Sequence, residues 1–125
     1  MSRFSFNQCI VEGNVAATPE IRHTRDSSRP VSNFTIYVDS SYKSKKNQDG
    51  GVVFKKRTER IPVTVWAKLA EFTCKNVNKG DKVRVVGKIR TRTYENKEGH
   101  VVNSFEIVAD QINIMQQKRD EYYED

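Results

Sequence analysis

Between Asn33 and Val38 apolar side chains fall on every second residue: Phe34, Ile36 and Val38 alternate with Asn33, Thr35 and Tyr37. That two-residue period predicts a strand over 31–42 with one face buried. Residues 8–15, rich in Ile and Val and ending near Thr18-Pro19, predict a strand before it. A third covers 53–66, where Ile61, Val63 and Val65 oppose Thr58, Arg60, Pro62, Thr64 and Trp66. The fourth, 82–94, alternates most clearly, with Val83, Val85, Gly87 and Ile89 against Arg84, Lys88, Arg90, Arg92 and Tyr94. In the fifth, Phe105, Ile107 and Ala109 share a face, with Ile112 and Ile114 beyond them.

The period breaks over 67–77, where Leu69 and Phe72 at i, i+3 and Gly80 past the end predict a short helix. The Lys-rich stretch Lys43–Gly51, with Asp49-Gly50-Gly51, reads as a hairpin loop, and Asn96–Gly99 as a turn. No internal repeat is visible. Three strands, a helix, then two more strands is the order of an all-β, five-stranded OB-fold Greek-key barrel with one short helix between strands 3 and 4. Period alone equally describes another small β-barrel capped by one helix.

At 125 residues there is room for one core. The expected organisation is a domain over 1–115 and a charged, frayed tail over 116–125. The formal charge is +6, and four of the 16 acids fall in the last six residues, so residues 1–119 set 22 Lys and Arg against 12 acids. A body that basic is drawn to phosphates, and the acidic tip opposes the attraction. Cys9 and Cys74 are too few and too far apart for a disulfide framework or a metal site and read as buried free thiols. Met-Ser-Arg-Phe-Ser-Phe lacks an apolar h-region, and no run approaches membrane-spanning length, so a cytoplasmic protein is expected.

The faces opposite the expected core carry the candidate chemistry. One strand offers Arg84, Lys88, Arg90, Arg92 and Tyr94, another Arg60 and Trp66. If both faces join one surface, the result is a cationic groove holding a Trp and a Tyr. Cations track phosphates there, and π-faces accept unstacked bases. Taken singly, Trp66 equally suits the barrel end, Tyr94 a strand end, and the Arg stripe a solvated face. Catalysis finds no support: there is no Gly-rich phosphate loop, no paired zinc motif and no Ser/His/Asp set, and His23 and His100 are isolated. No catalytic residue, cofactor or metal is expected.

Over residues 7–115 the chain resembles bacterial-type single-stranded-DNA-binding proteins. The matching segments are Asn7–Val15, Pro19–Arg22, Val31–Thr35, Trp66–Glu71, Lys79–Val83 and Val86–Tyr94, the last being the most specific. The resemblance implies OB-folds assembled as a homo-oligomer, usually a homotetramer, with single-stranded DNA wrapped over stacking aromatics and basic side chains. It implies stacking roles for Tyr42, Trp66 and Tyr94, Tyr42 needing a bulge near Asp39-Ser40 to leave the Phe34–Val38 face. At another position where the family carries Trp stands Arg60, which can stack on a base and hold a phosphate. Ile61-Pro62 replaces a His-Arg associated with subunit contacts. Lys43, Lys45, Lys46, Lys55, Lys56 and Arg57, in and beside the long loop, can follow the DNA backbone. The family's long linker and apolar tip are missing from 116–125, which bears on recruitment of replication and repair partners. The implied function is sequence-tolerant binding and protection of single-stranded DNA during replication, recombination or repair. The alternatives are an OB-fold replication-restart or primosome accessory acting through protein contacts, and an RNA-binding barrel.

Overall fold

Alternation becomes closure through two positions, Gly13 and Gly87, where a strand lies against neighbouring backbone with no room for a side chain. The computed structural model describes residues 4–46 and 50–118, apart from the side chains of Lys45 and Lys46. Its elements are β1 (Cys9–Val15), β2 (Arg22–His23), β3 (Pro30–Lys46), β4 (Val52–Trp66), α1 (Ala67–Asn76), β5 (Lys82–Glu95) and β6 (Val101–Gln116). The sheet runs β1-β5-β6-β4-β3-β2, and β1 also pairs with β3, closing five strands into a ring. All pairings are antiparallel except β4 with β6. This is the OB-fold barrel, with the helix between its third and fourth long strands and a two-residue β2 added at the edge of β3.

The core is the shared inner face. Val15, Phe34, Ile36, Val63, Val65, Val83, Val85, Ile107 and Ile112 meet there, and Ala70 of α1 joins them at one end. β1 serves two neighbours, pairing Ile10 with Val86 and then Val15 with Ile36. A Cβ on Gly13 would lie 2.4 Å from the Tyr37 carbonyl oxygen, and one on Gly87 2.2 Å from that of Val108. Both distances are far inside van der Waals contact, so glycine lets the strands approach this closely.

The bulge beside Gly87 also explains the apolar pattern of β6. Val86 faces Gln111 while Gly87 faces Ala109, leaving Asp110 as the extra residue. The parity flips there, so Ile107 and Ala109 before the bulge and Ile112 after it all reach the core.

Part of the expected loop at Lys43–Gly51 is strand, since β3 runs on to Lys46. β3 and β4 stay in register from Val31–Trp66 to Lys43–Phe54, and a shift follows before Lys46–Val52. Polar composition marked a loop, but these residues form the far half of a two-stranded ribbon that leaves the barrel and has little to bury. Residues 47–49 and 119–125 lie outside the described residues, so the structure gives no account of the loop tip or of most of the expected tail. The part of 116–118 that is described is held: Asp81, 2% exposed, accepts the Lys118 and Asn78 amides, each at 2.9 Å.

The chain turns from Trp66 into the helix at its first residue, Ala67, whose φ of 56° lies in the left-handed region. A Cβ there costs roughly 1 kcal/mol relative to glycine. Ala67→Gly is therefore expected to raise stability by about 0.5–1 kcal/mol, read as a higher urea midpoint at unchanged slope. A lower midpoint would show that the turn is not strained.

Candidate nucleic-acid interface

The outward faces of β4 and β5 do join, with β6 lying between them. A chain of polar side chains marks the junction. Arg22 of β2 donates to Asn33 Oδ1 on β3; Asn33 Nδ2 donates to Thr64 Oγ1 on β4 at 2.7 Å; and Thr64 donates to Glu106 Oε2 on β6. The other Glu106 oxygen lies 2.8 Å from Arg92 Nη2 on β5. Thr64 and Glu106 are buried while the Arg92 side chain is 59% exposed. Glu106 thus holds Arg92 by an ion pair while most of the arginine side chain stays in solvent.

Two hairpin ribbons project from this junction, each exposed on both faces. On β3–β4, every residue from Gly51 to Arg60 is exposed. The outer parity carries Lys43, Phe54, Lys56, Arg60 and Tyr37, and the inner parity Tyr42, Lys55 and Arg57. Tyr42 is 48% exposed with no bulge near Asp39-Ser40, because the register is unbroken there. It keeps the Phe34–Val38 parity, and it is exposed because the ribbon has already left the barrel. On β5–β6, Lys88, Arg90, Arg92 and Tyr94 share the outer parity, and Tyr94 is 54% exposed.

Ion pairs temper the cationic surface. Arg57 Nε lies 2.7 Å from Glu59, and Lys56 Nζ lies 3.4 Å from Asp39. The Thr58 hydroxyl, donating at 2.6 Å, and then Lys56 hold the Asp39 carboxyl below the usual carboxylate range. Arg84 donates through both Nε and Nη2 to Glu12 on β1, at 2.9 and 2.6 Å, and sits on the barrel wall away from the ribbons. Burial pushes the Cys9 thiol up. Among the described residues no group of His, Cys, Asp and Glu could hold a metal ion, and no helix is long and apolar enough to cross a membrane.

Trp66 and Tyr94 share the surface but stand far apart on it. Thr64 is level with Val108 and Tyr94 with Val102, which puts Trp66 and Tyr94 eight positions apart along β6, ~26 Å at ~3.3 Å per residue. The ring of Trp66 is half-buried, with the Arg29 guanidinium 4.8 Å from its centroid. Sequence reasoning did not reach Arg29, Phe54, Tyr37 or Glu106 as site residues. For Tyr37 the signal was present, since it alternates away from Phe34 and Ile36; for Glu106 there was none, because it looks like one more polar residue on an outer face.

A β-barrel with two cationic ribbons that expose aromatic rings is a nucleic-acid-binding module of the OB class. The chain belongs to the single-strand binding protein family, whose family model matches residues 6–115. It is 34% identical over 112 residues to the single-stranded DNA-binding protein of Caldanaerobacter subterraneus subsp. tengcongensis, covering 90% of this chain and 69% of that one. It is also 34% identical over 113 residues to single-stranded DNA-binding protein B of Bacillus subtilis, covering 90% and 93%. Among solved structures, a Plasmodium falciparum SSB in complex with ssDNA shares the fold at a TM-score of 0.80 and 18% identity, over 93% of this chain and all of that one.

The Glu106 junction has a measurable consequence. Glu106→Ala removes the acceptor of a buried hydroxyl and the anchor of Arg92, and is expected to lower stability by about 2 kcal/mol, whereas Glu106→Gln, which keeps an acceptor, costs about 1. Urea unfolding of the two variants checks the order; equal midpoints would show that the junction is not structural.

Proposed function

We propose that this protein binds single-stranded DNA with little regard to base sequence and protects it during replication, recombination or repair. The observation that carries the reading is the continuous outer surface from Trp66 to Tyr94, cationic on both ribbons and bearing exposed rings at separated points. Stacked duplex bases cannot reach such rings, whereas unpaired bases can, and every base has a π-face to offer. A span of this length suits several nucleotides, within the ~4–16 typical of one OB-fold.

In this reading Tyr42, Trp66 and Tyr94 stack bases. Lys43, Lys45, Lys46, Lys55, Lys56, Arg57, Arg60, Lys88, Arg90 and Arg92 follow the phosphates. Arg84 takes part only when it gives up Glu12. Binding is the whole activity, with no catalytic step. Assembly as a homo-oligomer, most simply a tetramer, belongs to the same reading; Ile10, 62% exposed on β1, and Phe6, 89% exposed before it, offer apolar surface for it. Light scattering distinguishes tetramer from dimer.

Titrating labelled oligo-dT, a matched duplex and oligo-rU at two salt concentrations tests the proposal. Oligo-dT is expected to bind at least about tenfold more tightly than duplex, and Trp66→Ala and Tyr94→Ala each to lose about 1–2 kcal/mol. Affinity falls as salt rises because released counterions drive binding. Duplex bound as tightly as oligo-dT would refute the stacking account, and a clear preference for oligo-rU would favour RNA.

A further inference from the structure

Tyr37 of β3 and Arg60 of β4 are cross-strand partners on the outer face, with the guanidinium carbon 5.8 Å from the ring centroid. Asn14 of β1 pairs with Tyr37 from the other side, so three strands meet in one row. Beside that row lies a groove of about 490 Å³, walled by Asn14, Tyr37, Asp39, Lys56, Thr58 and Arg60. We propose that this groove is a base-binding site in its own right, in which an unstacked nucleobase lies on the Tyr37 ring and Arg60 takes the adjoining phosphate.

Three features point to a nucleotide. First, Tyr37 is 37% exposed and lies on the face of β3 opposite the core, so part of the residue is open to solvent. Second, Arg60 is a planar cation with no carboxylate within salt-bridge distance among the described residues, unlike Lys56, Arg57, Arg84 and Arg92. A cation left without an acid beside an exposed ring is what a base and its phosphate together require. Third, the one acid in the groove, Asp39, is held by Thr58 and Lys56 at the ribbon end. Lys56 offsets its charge, which leaves Arg60 as the cation of the groove without an acid partner among the described residues.

The site rests on the single-strand reading and extends it from the three expected aromatics to a fourth, placed between the ends of the surface. A purely structural cation–π pair is the competing account, and it predicts a change in stability without a change in affinity. The chain's single tryptophan, Trp66, separates the two. It stands six residues along β4 from Arg60, so quenching of its fluorescence reports DNA arriving at a different point of the surface.

The experiment titrates oligo-dT into the wild type, Tyr37→Phe, Tyr37→Leu and Arg60→Ala, each checked for folding by circular dichroism, at several salt concentrations. Tyr37→Leu keeps apolar bulk and strand propensity but has no π-face. It is expected to weaken binding about fivefold or more, with an unchanged salt slope and undiminished Trp66 quenching at saturation. Tyr37→Phe should stay within about twofold of the wild type, since the ring face does the stacking. Arg60→Ala should reduce the magnitude of the salt slope by about 0.7, one phosphate on a single strand. Tyr37→Leu binding as tightly as the wild type would overturn the site while leaving the function intact. Failure of the wild type itself to bind oligo-dT would overturn both.

Discussion

Everything on this surface depends on the closure of the barrel by β1, which must pair with β5 and then with β3. Such a strand needs sharp curvature and close backbone contact; Gly13 supplies the clearance against β3, and Gly87 does the same for β5 against β6. Once the ring is shut, one face of every long strand is committed to a core of Val, Ile and Phe. The other face is left to carry whatever chemistry the sequence puts there. Closure also shortens what the barrel can cover: the far halves of β3–β4 and β5–β6 have no opposing layer and stand out as ribbons.

Those ribbons explain how a small domain can present so large an outer surface. Aromatic rings in a barrel normally bring stability by being buried, and an exposed ring forgoes that gain. Here Tyr42, Phe54 and Tyr94 lie on segments beyond the core, so their exposure costs the core nothing. The polar chain from Arg22 through Asn33, Thr64 and Glu106 to Arg92 then links five strands across the outer face. It fixes the roots of both ribbons relative to one another.

Much of this was legible in the alternation. The strands containing Phe34–Val38, Ile61–Val65 and Val83–Val85 were correctly assigned to one inner face, and the helix was placed to within a residue of its end. The ribbon was not, because Lys43, Ser44 and Lys45 carry no apolar period. β2 was missed because two residues have no period at all. The run of Ile107, Ala109 and Ile112 made sense only with a bulge at Asp110, which depends on the partner strand and not on β6 itself. The same holds at the interface: parity placed Arg60 and Tyr37 outward, but only the register between β3 and β4 sets them side by side. The expected bulge for Tyr42 was unnecessary, since its exposure follows from where the barrel ends.

The central claim is that one strand of DNA lies across the outer face of β4, β6 and β5 and on the ribbons that continue them. Amide chemical-shift mapping with oligo-dT tests it most directly. The account predicts that perturbations concentrate between Lys43 and Trp66 and between Lys88 and Val108, and spare α1. Shifts centred instead on α1 and the Asn78–Asp81 turn, with the ribbons unmoved, would contradict it.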